Sequence, residues 1–324
     1  MFTPSQLLEK INAYVAGLDY SRPPMDLYAP VEYVLSLGGK RIRPLLMLMA
    51  YNIYKEEVGE ALPPAAGIET YHNYTLLHDD LMDRADMRRG HLTVHKKWND
   101  NTAILSGDTM LVLAYKLMAQ CGAAHLKEVI DLFTETALEI GEGQQYDMEF
   151  ENRMDVTEEE YLEMIRLKTS VLLAASLKIG ALLAGAPAED ADQLYDYGIQ
   201  LGLAFQLQDD YLDVYGDPAV FGKKIGGDIL CNKKTYMLIN ALQRADESQR
   251  AALEQWIGAV EYEPQEKVAA VTALYDAIGI KVLCHEKIED YFRKAGECLA
   301  GVQVEESRKK MLAQFAASLM GRKV

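Results

Sequence analysis

Residues 76–83 read LLHDDLMD, and residues 205–213 read FQLQDDYLD. Both stretches place the pattern Asp-Asp-x-x-Asp among apolar residues, and neither shows the apolar and polar alternation of a β-strand. Residues four apart lie on one face of a helix, so the first and last aspartates of each pattern project together. These aspartates are Asp79 and Asp83 in the first stretch, and Asp209 and Asp213 in the second. The two stretches therefore predict two helices that each carry an acidic stripe.

Helix signals continue outward from both stretches to the ends of the chain. Thr3 precedes a proline in the first turn of a helix, and Thr157 with Glu160 forms a capping box. The first predicted helix starts at residue 4, and a second runs toward residue 38. The others cover 44–54, 63–83, 99 or 101 to 122, 125–150, 157–185 and 188–216, with shorter helices beyond. Alternating runs are scarce, so almost no strand is expected. The sequence predicts a single all-α domain over residues 1–324, built as a helical bundle around a central cavity.

The composition excludes several classes of protein. The 324 residues are 49% hydrophobic, which is enough for a large core, and the formal net charge is −16. An acidic surface repels a phosphate backbone, so no nucleic-acid partner is expected. We see no secretory signal, and the most apolar segment, 171–185, is too short to span a bilayer and carries Lys178. Four cysteines without metal-type spacing fit a cytoplasmic protein and are predicted to be small core residues.

The two acidic stripes need a cation. Carboxylates beside leucines are costly to leave unpaired, and carboxylate-only ligands are typical of hard cations. Sparse ligands fit octahedral Mg²⁺ better than Ca²⁺, and such Mg²⁺ normally shares its shell with substrate phosphates. We therefore expect a diphosphate to be held through Mg²⁺ between the two helices. The alternative is a solvated acidic face, which one cluster alone would favour but two clusters in apolar helices do not.

Basic residues follow at points where they can hold the same anion. GGKRIRP, residues 38–44, joins two glycines to three cations at a predicted helix start, where an anion is favoured. The other basic pairs are Arg88-Arg89 after the first acidic stretch, and Lys223-Lys224 and Lys233-Lys234 after the second. Any one pair is an ordinary surface feature, whereas their placement after each acidic cluster indicates phosphate binding.

In this order the motifs resemble those of the trans-isoprenyl diphosphate synthases, also called polyprenyl synthetases. The resemblance is carried by GGKRIRP, LLHDDLMDRADMRRG, FQLQDDYLDVYGD, FGKKIGGD and NKKT, between residues 38 and 235. It implies the family's all-α fold, three Mg²⁺ ions and a homodimer. It also implies the reaction, in which isopentenyl diphosphate is condensed with an allylic diphosphate (dimethylallyl, geranyl or farnesyl).

The resemblance implies a role for each motif residue. The ligands of isopentenyl diphosphate would be Lys40, Arg43, His72 and Arg89. The metal-binding group would be Asp79, Asp80 and Asp83, with Asp209, Asp210 and Asp213. The allylic diphosphate would contact Arg88, Lys223 and Lys233, with Lys224 and Lys234 as the alternatives within each doublet. The allylic cation would be bordered by Lys168 and Thr169, at a helix irregularity, and by Gln206, while Gln144 and Asp147 match a Gln-x-x-Asp element. Without the motifs, His72 would be read as a core histidine and Thr169 as a back-bonded helix residue.

Product length is inferred from the residues before the first aspartate cluster. In the family, bulk at these positions limits the product. Here Tyr74 stands five positions before the cluster, the small Thr75 stands four before it, and Tyr71 lies a further turn back. The cluster also lacks the two-residue insertion of bacterial farnesyl enzymes. This combination resembles geranylgeranyl diphosphate synthases, so we expect a C20 product, with C15 as the alternative and a longer chain less favoured. Tyr71 and Tyr74 as plain core aromatics are the opposing interpretation.

Three other classes share part of the pattern. A terpene cyclase has the fold and one Asp-Asp-x-x-Asp cluster, but it has no use for a second diphosphate site at residues 38–44. A non-catalytic subunit usually loses one acidic cluster, and this chain keeps both. A scaffold with structural Ca²⁺ would not need the lysines and arginines. The prenyltransferase interpretation is favoured in each comparison.

Overall fold

The computed structural model describes residues 1–217 and 225–321, and this part of the chain is almost entirely helical. The helices are α1 (Pro4–Ala16), α2 (Met25–Ser36), α3 (Ile42–Tyr54), α4 (Leu62–Met82), α5 (Val94–Lys97), α6 (Asp100–Met118), α7 (Leu126–Glu151), α8 (Glu158–Ile165), α9 (Val171–Leu183), α10 (Ala188–Tyr215), α11 (Gly227–Leu230), α12 (Tyr236–Arg244), α13 (Glu247–Gly258), α14 (Pro264–Ile278), α15 (Ile280–Gly301) and α16 (Glu306–Met320). A 3₁₀ turn covers Gly59–Ala61, and a π-helical turn, Arg166–Ser170, joins α8 to α9. The strands β1 (Met87–Arg88) and β2 (His91–Leu92) form a two-residue antiparallel hairpin in which Met87 pairs with Leu92.

The all-α prediction is confirmed, together with the caps that support it. The Thr3 side chain accepts from the backbone N–H of Gln6, and Thr157 forms the predicted capping box with Glu160. Asn99, rather than Asn101, caps α6 by accepting from Thr102. These side chains satisfy backbone donors that have no partner within the helix.

Three boundaries differ from the sequence prediction. The third helix begins at Ile42 rather than at Pro44, because a proline in the first turn removes only a donor that is unpaired there anyway. The segment predicted as one helix over 157–185 is divided by the π-helical turn, which the family resemblance implied as an irregularity. The helices near the C-terminus are not all short, since α15 has 22 residues.

The described residues form two compact units. The first contains Met1–Thr134, Ala175–Tyr195 and Val302–Leu312, and the second contains Glu135–Ala174 together with the described parts of Asp196–Gly301 and Ala313–Val324. In the first unit, α3 is buried from Pro44 to Ile53. In the second, a core cluster includes Phe150, Leu207 and Tyr275. The prediction of a single domain around a central cavity stays a prediction.

Two further sequence predictions concern the membrane and the cysteines. Among the described residues, no single helix combines the length and the apolar composition of a membrane span, although α14 and α15, bent by 72°, pass as a pair by length and composition alone. All four thiols are free. Cys121 and Cys284 are buried as predicted, but Cys231 is exposed and Cys298 is half-buried, so the prediction that all are core residues was wrong for these two.

Candidate active site

One pocket in the first unit is lined by cations. It measures about 940 Å³ with its open mouth, and its lining includes the four residues predicted to bind isopentenyl diphosphate: Lys40, Arg43, His72 and Arg89. Loop 38–41 and the start of α3 supply two of them, α4 supplies His72, and the β1–β2 hairpin supplies Arg89, which donates to the Gly38 carbonyl. A cluster of guanidinium and ammonium groups in a concave surface is suited to an anion.

His72 is held neutral in this pocket. Burial and four neighbouring arginines, Arg43 first among them, lower its pKa well below the usual range. The Arg43 Nη1 lies 3.1 Å from the His72 Nε2, and because arginine can only donate, this nitrogen is the acceptor and the proton lies on Nδ1. Burial also lowers the pKa of Arg43 to about 10, and its Nε is buried without a hydrogen-bond partner among the described residues.

Arg41 is the member of the basic run that points inward. It has a left-handed backbone (φ 49°), is only 6% exposed and ion-pairs with the buried Glu69. The same guanidinium donates to the Leu35 carbonyl at 2.7 Å, and Asn73 donates to Glu69 at 2.8 Å. This network fixes the turn between α2 and α3, so Lys40 and Arg43 are carried by a rigid segment. Sequence reasoning missed Arg41 and Glu69, because three cations within four residues give no sign of which one is buried.

The first aspartate cluster lies at the C-terminal end of α4. Asp80 is 5% exposed, while Asp79 is half-buried and Asp83 is exposed at the helix end. The Arg88 Nε lies 2.8 Å from both Asp80 oxygens, and its Nη2 lies 3.6 Å from Asp79. Burial raises the pKa of Asp80, and Arg88 opposes that rise. The middle carboxylate is therefore held by the protein.

The second cluster, on α10 in the second unit, repeats this arrangement with other partners. Asp210 is 4% exposed and accepts from the Tyr161 hydroxyl and, at 3.0 Å, from the Gln206 amide. Burial raises the pKa of Asp210 to about 6. Asp209 and Asp213 are half-buried, and an Asp213 oxygen accepts from the backbone N–H of Asp228 at 3.0 Å. In both clusters the middle carboxylate is buried and the outer two are more accessible.

Lys168 and Thr169 lie in the π-helical turn between α8 and α9. The Lys168 Nζ is 2.6 Å from an Asp147 oxygen, and the Thr169 hydroxyl donates to the Gln206 carbonyl oxygen at 3.1 Å. Burial would raise the pKa of Asp147, but Lys233 and Lys168 outweigh it and lower that pKa. Two pairs of predicted residues in the second unit are thus in contact, Lys168 with Asp147 and Thr169 with Gln206.

Two glycines let neighbouring helices approach the π-helical turn. A Cβ on Gly143 of α7 would lie 2.4 Å from the Lys168 backbone nitrogen, and a Cβ on Gly202 of α10 would lie 2.6 Å from the Ser170 Cα. Real Cβ atoms essentially never come this close. The turn is therefore fixed by backbone contact on both sides.

The structure separates the members of the second lysine doublet. The Lys234 side chain is 9% exposed and donates to the Glu151 carbonyl at 3.1 Å. The charge of Lys233 instead acts on two carboxylates: with Lys168 it lowers the pKa of Asp147, and it opposes the rise that burial causes in the pKa of Asp210. The first doublet, Lys223-Lys224, lies outside the described residues.

An aromatic cluster lies one to two turns before the first aspartates. Ring centroids are 5.4 Å apart between Tyr71 and Tyr74, 5.2 Å between Tyr71 and Phe133, and 4.8 Å between Phe133 and Tyr115. Tyr74 also packs on His78, with centroids 4.9 Å apart. The Thr75 hydroxyl bonds back to the His72 carbonyl. Phe133 and Tyr115 were missed by sequence reasoning, since they come from α7 and α6.

The donor chemistry of both clusters fits a hard divalent cation that is shared with a substrate. Within residues 1–217 and 225–321, no three His, Cys, Asp or Glu side chains are arranged to hold a metal by themselves. Mg²⁺ does not require such a cage, since it is usually bound by one or two carboxylates, retained waters and phosphate oxygens. Asp79 with Asp83, and Asp209 with Asp213, supply such carboxylates at a four-residue spacing on each helix. The expectation that both clusters hold one diphosphate stays a prediction.

Comparison with known proteins agrees with these features. The chain matches the Polyprenyl synthetase family over residues 24–276. It is 38% identical over 295 residues to a short chain isoprenyl diphosphate synthase from Methanothermobacter thermautotrophicus, covering 90% of each chain. It superposes on a crystal structure of geranylgeranyl pyrophosphate synthase with a TM-score of 0.93, at 43% identity over the full length of both. A geranylgeranyl pyrophosphate synthase from Corynebacterium glutamicum, solved with isoprenyl diphosphate and magnesium, gives a TM-score of 0.85 at 28% identity, covering 99% of this chain and 98% of that one.

The class of protein is thereby defined as a helical prenyltransferase. Its motifs, its fold and the match over most of its length agree on the particular family as well. The chain belongs to the polyprenyl synthetase family.

Proposed function

We propose that this chain is a Mg²⁺-dependent short-chain isoprenyl diphosphate synthase with geranylgeranyl diphosphate (C20) as its product. The observation that carries the proposal is the presence in one chain of a cationic pocket and of two acidic clusters whose middle carboxylates are buried and held. An enzyme of this type must bind two diphosphates of different reactivity, one that stays attached to its chain and one that leaves.

The cationic pocket is assigned to isopentenyl diphosphate, which keeps its diphosphate. Lys40, Arg43 and Arg89 bind the phosphate oxygens, and the buried Arg43 Nε supplies a donor that a ligand oxygen would satisfy. Neutral His72 accepts from Arg43 and so orients that guanidinium without adding a charge. These cations need only bind the diphosphate, since no bond to it breaks in the reaction.

The aspartate clusters are assigned to the allylic diphosphate, which leaves. Mg²⁺ held at the outer carboxylates would offset the negative charge that grows on the leaving group. Arg88, Lys168 and Lys233 contribute cations for the same charge, with Lys223 added from the sequence. Three ions follow the family resemblance, and their number is part of the proposal.

The reaction then needs a surface that does not quench a carbocation. The C–O bond of the allylic substrate breaks and its diphosphate departs with the electron pair. The oxygens of Gln206 and Thr169, which are hydrogen-bonded to each other, border the cation without attacking it. The isopentenyl double bond forms the new C–C bond, and the released diphosphate accepts the proton that restores a double bond. Positioning contributes heavily to this sequence, because water would trap a misplaced cation.

The C20 assignment rests on the aromatic cluster. Tyr71 packs on Tyr74 and on Phe133, and Tyr74 packs on His78. Aromatic rings therefore occupy the space beside α4 before the first aspartates. The growing tail is proposed to run along α4 toward its N-terminus and to stop at Tyr74. Named relatives with geranylgeranyl products support the same length.

We also propose a homodimer in the cytoplasm, with no nucleic-acid partner.

The test is turnover with isopentenyl diphosphate, Mg²⁺ and each starter in turn, with products sized by mass spectrometry. Asp79→Ala and Asp209→Ala should each lower kcat/KM by about 10³-fold, since each removes metal that stabilises charge in the transition state. Their melting temperatures should stay near that of the wild type. Asp131→Ala, which removes an exposed carboxylate that pairs with Lys127 on the surface of α7, is the matched control and should retain wild-type turnover.

The outcomes separate the parts of the proposal. Near-wild-type kinetics in either cluster variant would remove the metal assignment. Full activity after exhaustive chelation would remove the Mg²⁺ dependence. A main product of C15 or C25 would leave the reaction in place and overturn the C20 assignment.

A further inference from the structure

A buried lysine lies outside the residues described so far. Lys267, in the first turn of α14, is 1% exposed. Its Nζ donates to the Asn232 side-chain oxygen at 2.8 Å and lies 4.3 Å from the centre of the Tyr262 ring. Burial lowers the pKa of this amine, while the amide oxygen and the ring face both favour its charged form. An apolar side chain of similar length would fill the same space without the cost of burying a charge. Packing alone therefore does not account for a lysine at this position.

The lysine's partner is a residue under backbone constraint. Asn232 has a left-handed backbone (φ 53°), which asparagine tolerates better than most residues. Both ends of its amide are bonded, because its oxygen accepts from Lys267 and its nitrogen donates to the Ile257 carbonyl at 3.1 Å. The side chain thus locks the turn that contains it.

That turn presents Lys233. The Lys233 backbone N–H donates to the Asp228 carbonyl at 2.9 Å, and the Lys233 carbonyl accepts from Thr235, which caps α12. The left-handed residue immediately before Lys233 sets the direction in which its side chain leaves the backbone. The charge of Lys233 then acts on Asp147 and on Asp210 of the second cluster.

The same segment is tied to the second aspartate cluster at its other end. The Asp213 carbonyl accepts from the backbone N–H of Gly226 at 2.6 Å, and its carboxylate accepts from Asp228. A Cβ at Gly226 would lie 2.5 Å from the Val268 side chain, so α14 packs directly on this point as well. Adjacent residues of α14, Lys267 and Val268, therefore hold the segment in two places.

We propose that Lys267 is a positioning residue that fixes Asn232 in its left-handed conformation and thereby directs Lys233 toward the allylic diphosphate. The inference rests on the proposed function, which assigns Lys233 to that diphosphate. Lys267 itself touches neither substrate. Its loss should weaken binding of the allylic substrate selectively, and the loss of Lys233 should do the same.

The experiment compares Lys267→Met, Lys233→Ala and the double variant by steady-state kinetics with farnesyl diphosphate and isopentenyl diphosphate. Lys267→Met should raise the KM for farnesyl diphosphate by about tenfold, the effect of one weakened charged hydrogen bond. The KM for isopentenyl diphosphate should stay within about twofold. In the double variant the two effects should not multiply, because both act through one ammonium group.

A matched control separates positioning from stability. Lys309 is also a buried lysine, 4% exposed, and it donates to the Val302 carbonyl in the first unit. Lys309→Met should destabilise the fold and leave both KM values unchanged. If Lys267→Met does not fold, Asn232→Gly keeps a backbone that allows positive φ, removes both amide contacts and should show the same selective rise.

Each outcome decides one assignment. A rise for Lys233→Ala without a rise for Lys267→Met or Asn232→Gly overturns the positioning role and leaves the proposed function in place. Effects of Lys267→Met and Lys233→Ala that multiply fully in the double variant also overturn it. No change for Lys233→Ala removes Lys233 from the allylic site, and the inference with it.

Discussion

Gly143→Ala should inactivate the enzyme far more than it unfolds it. The new Cβ would lie 2.4 Å from the Lys168 backbone nitrogen and 2.8 Å from its Cα, whereas ordinary contacts begin at 3.4 Å. Either α7 or the π-helical turn must therefore move by about 1 Å, and that turn carries Lys168 and Thr169. Overpacking of this kind costs about 1–3 kcal/mol of stability. A misplacement of about 1 Å can cost about 10²-fold in rate, so kcat should fall by that factor.

The assay measures kcat by product formation and stability by urea denaturation on the same preparations. Gly141→Ala is the matched control, because it lies two residues away on α7 and its Cβ would meet nothing within 4 Å. It should stabilise the protein by about 0.5–1 kcal/mol, as expected where alanine replaces glycine inside a helix, and leave kcat unchanged. Wild-type kcat in Gly143→Ala would refute the claim that the turn's position sets the rate. So would an equal loss of kcat in both variants.

Three further perturbations test separate parts of the structure. Glu69→Gln leaves the buried Arg41 charge unpaired and should lower the free energy of unfolding by about 3–5 kcal/mol in urea denaturation. Glu60→Gln, at an exposed ion pair, should lower it by about 1 kcal/mol or less. Equal effects would contradict the buried network. The pKa of His72 is lower in the folded protein than in the unfolded chain, so the unfolded chain binds one more proton at low pH. The contribution of His72 to the free energy of unfolding is therefore fully present above about pH 6.5. Below that pH it falls by up to about 1.4 kcal/mol per pH unit. His72→Asn should lack that component, and matching pH profiles for the two proteins would exclude it. Tyr74→Ala should shift the main product beyond C20 in mass spectrometry, and an unchanged distribution would remove Tyr74 from the control of product length.

Local chemistry made much of the fold predictable. Thr3, Thr157 and Asn99 satisfy helix N-termini through their own side chains, a signal confined to a few neighbouring residues. The four-residue spacing of the aspartates likewise needs only the geometry of a helix. Motif order then supplied the family and the residues that line the cationic pocket.

Burial could not be predicted in the same way. Arg41 and Lys267 look like surface cations in the sequence, and each is buried because a distant residue, Glu69 or Asn232, meets it. The aromatic cluster needs Phe133 from a helix that begins more than forty residues after Tyr74. These contacts depend on how helices pack, and spacing along one helix carries no information about them.

The two aspartate clusters stabilise a buried middle carboxylate in different ways. Three carboxylates within five residues repel one another, and burying the middle one raises its pKa. Asp80 is bonded to the full charge of Arg88, whereas Asp210 accepts hydrogen bonds from the neutral side chains of Tyr161 and Gln206, and the charge of Lys233 also lowers its pKa. A fixed middle carboxylate holds its turn of the helix in place, while the first and last carboxylates of each cluster remain more accessible to solvent. At the first cluster a divalent ion would therefore compete with an arginine bonded to the middle carboxylate, whereas among the described residues the donors bonded to the middle carboxylate of the second cluster are neutral. Removal of Arg88 should therefore change metal affinity at the first cluster more than removal of Tyr161 changes it at the second.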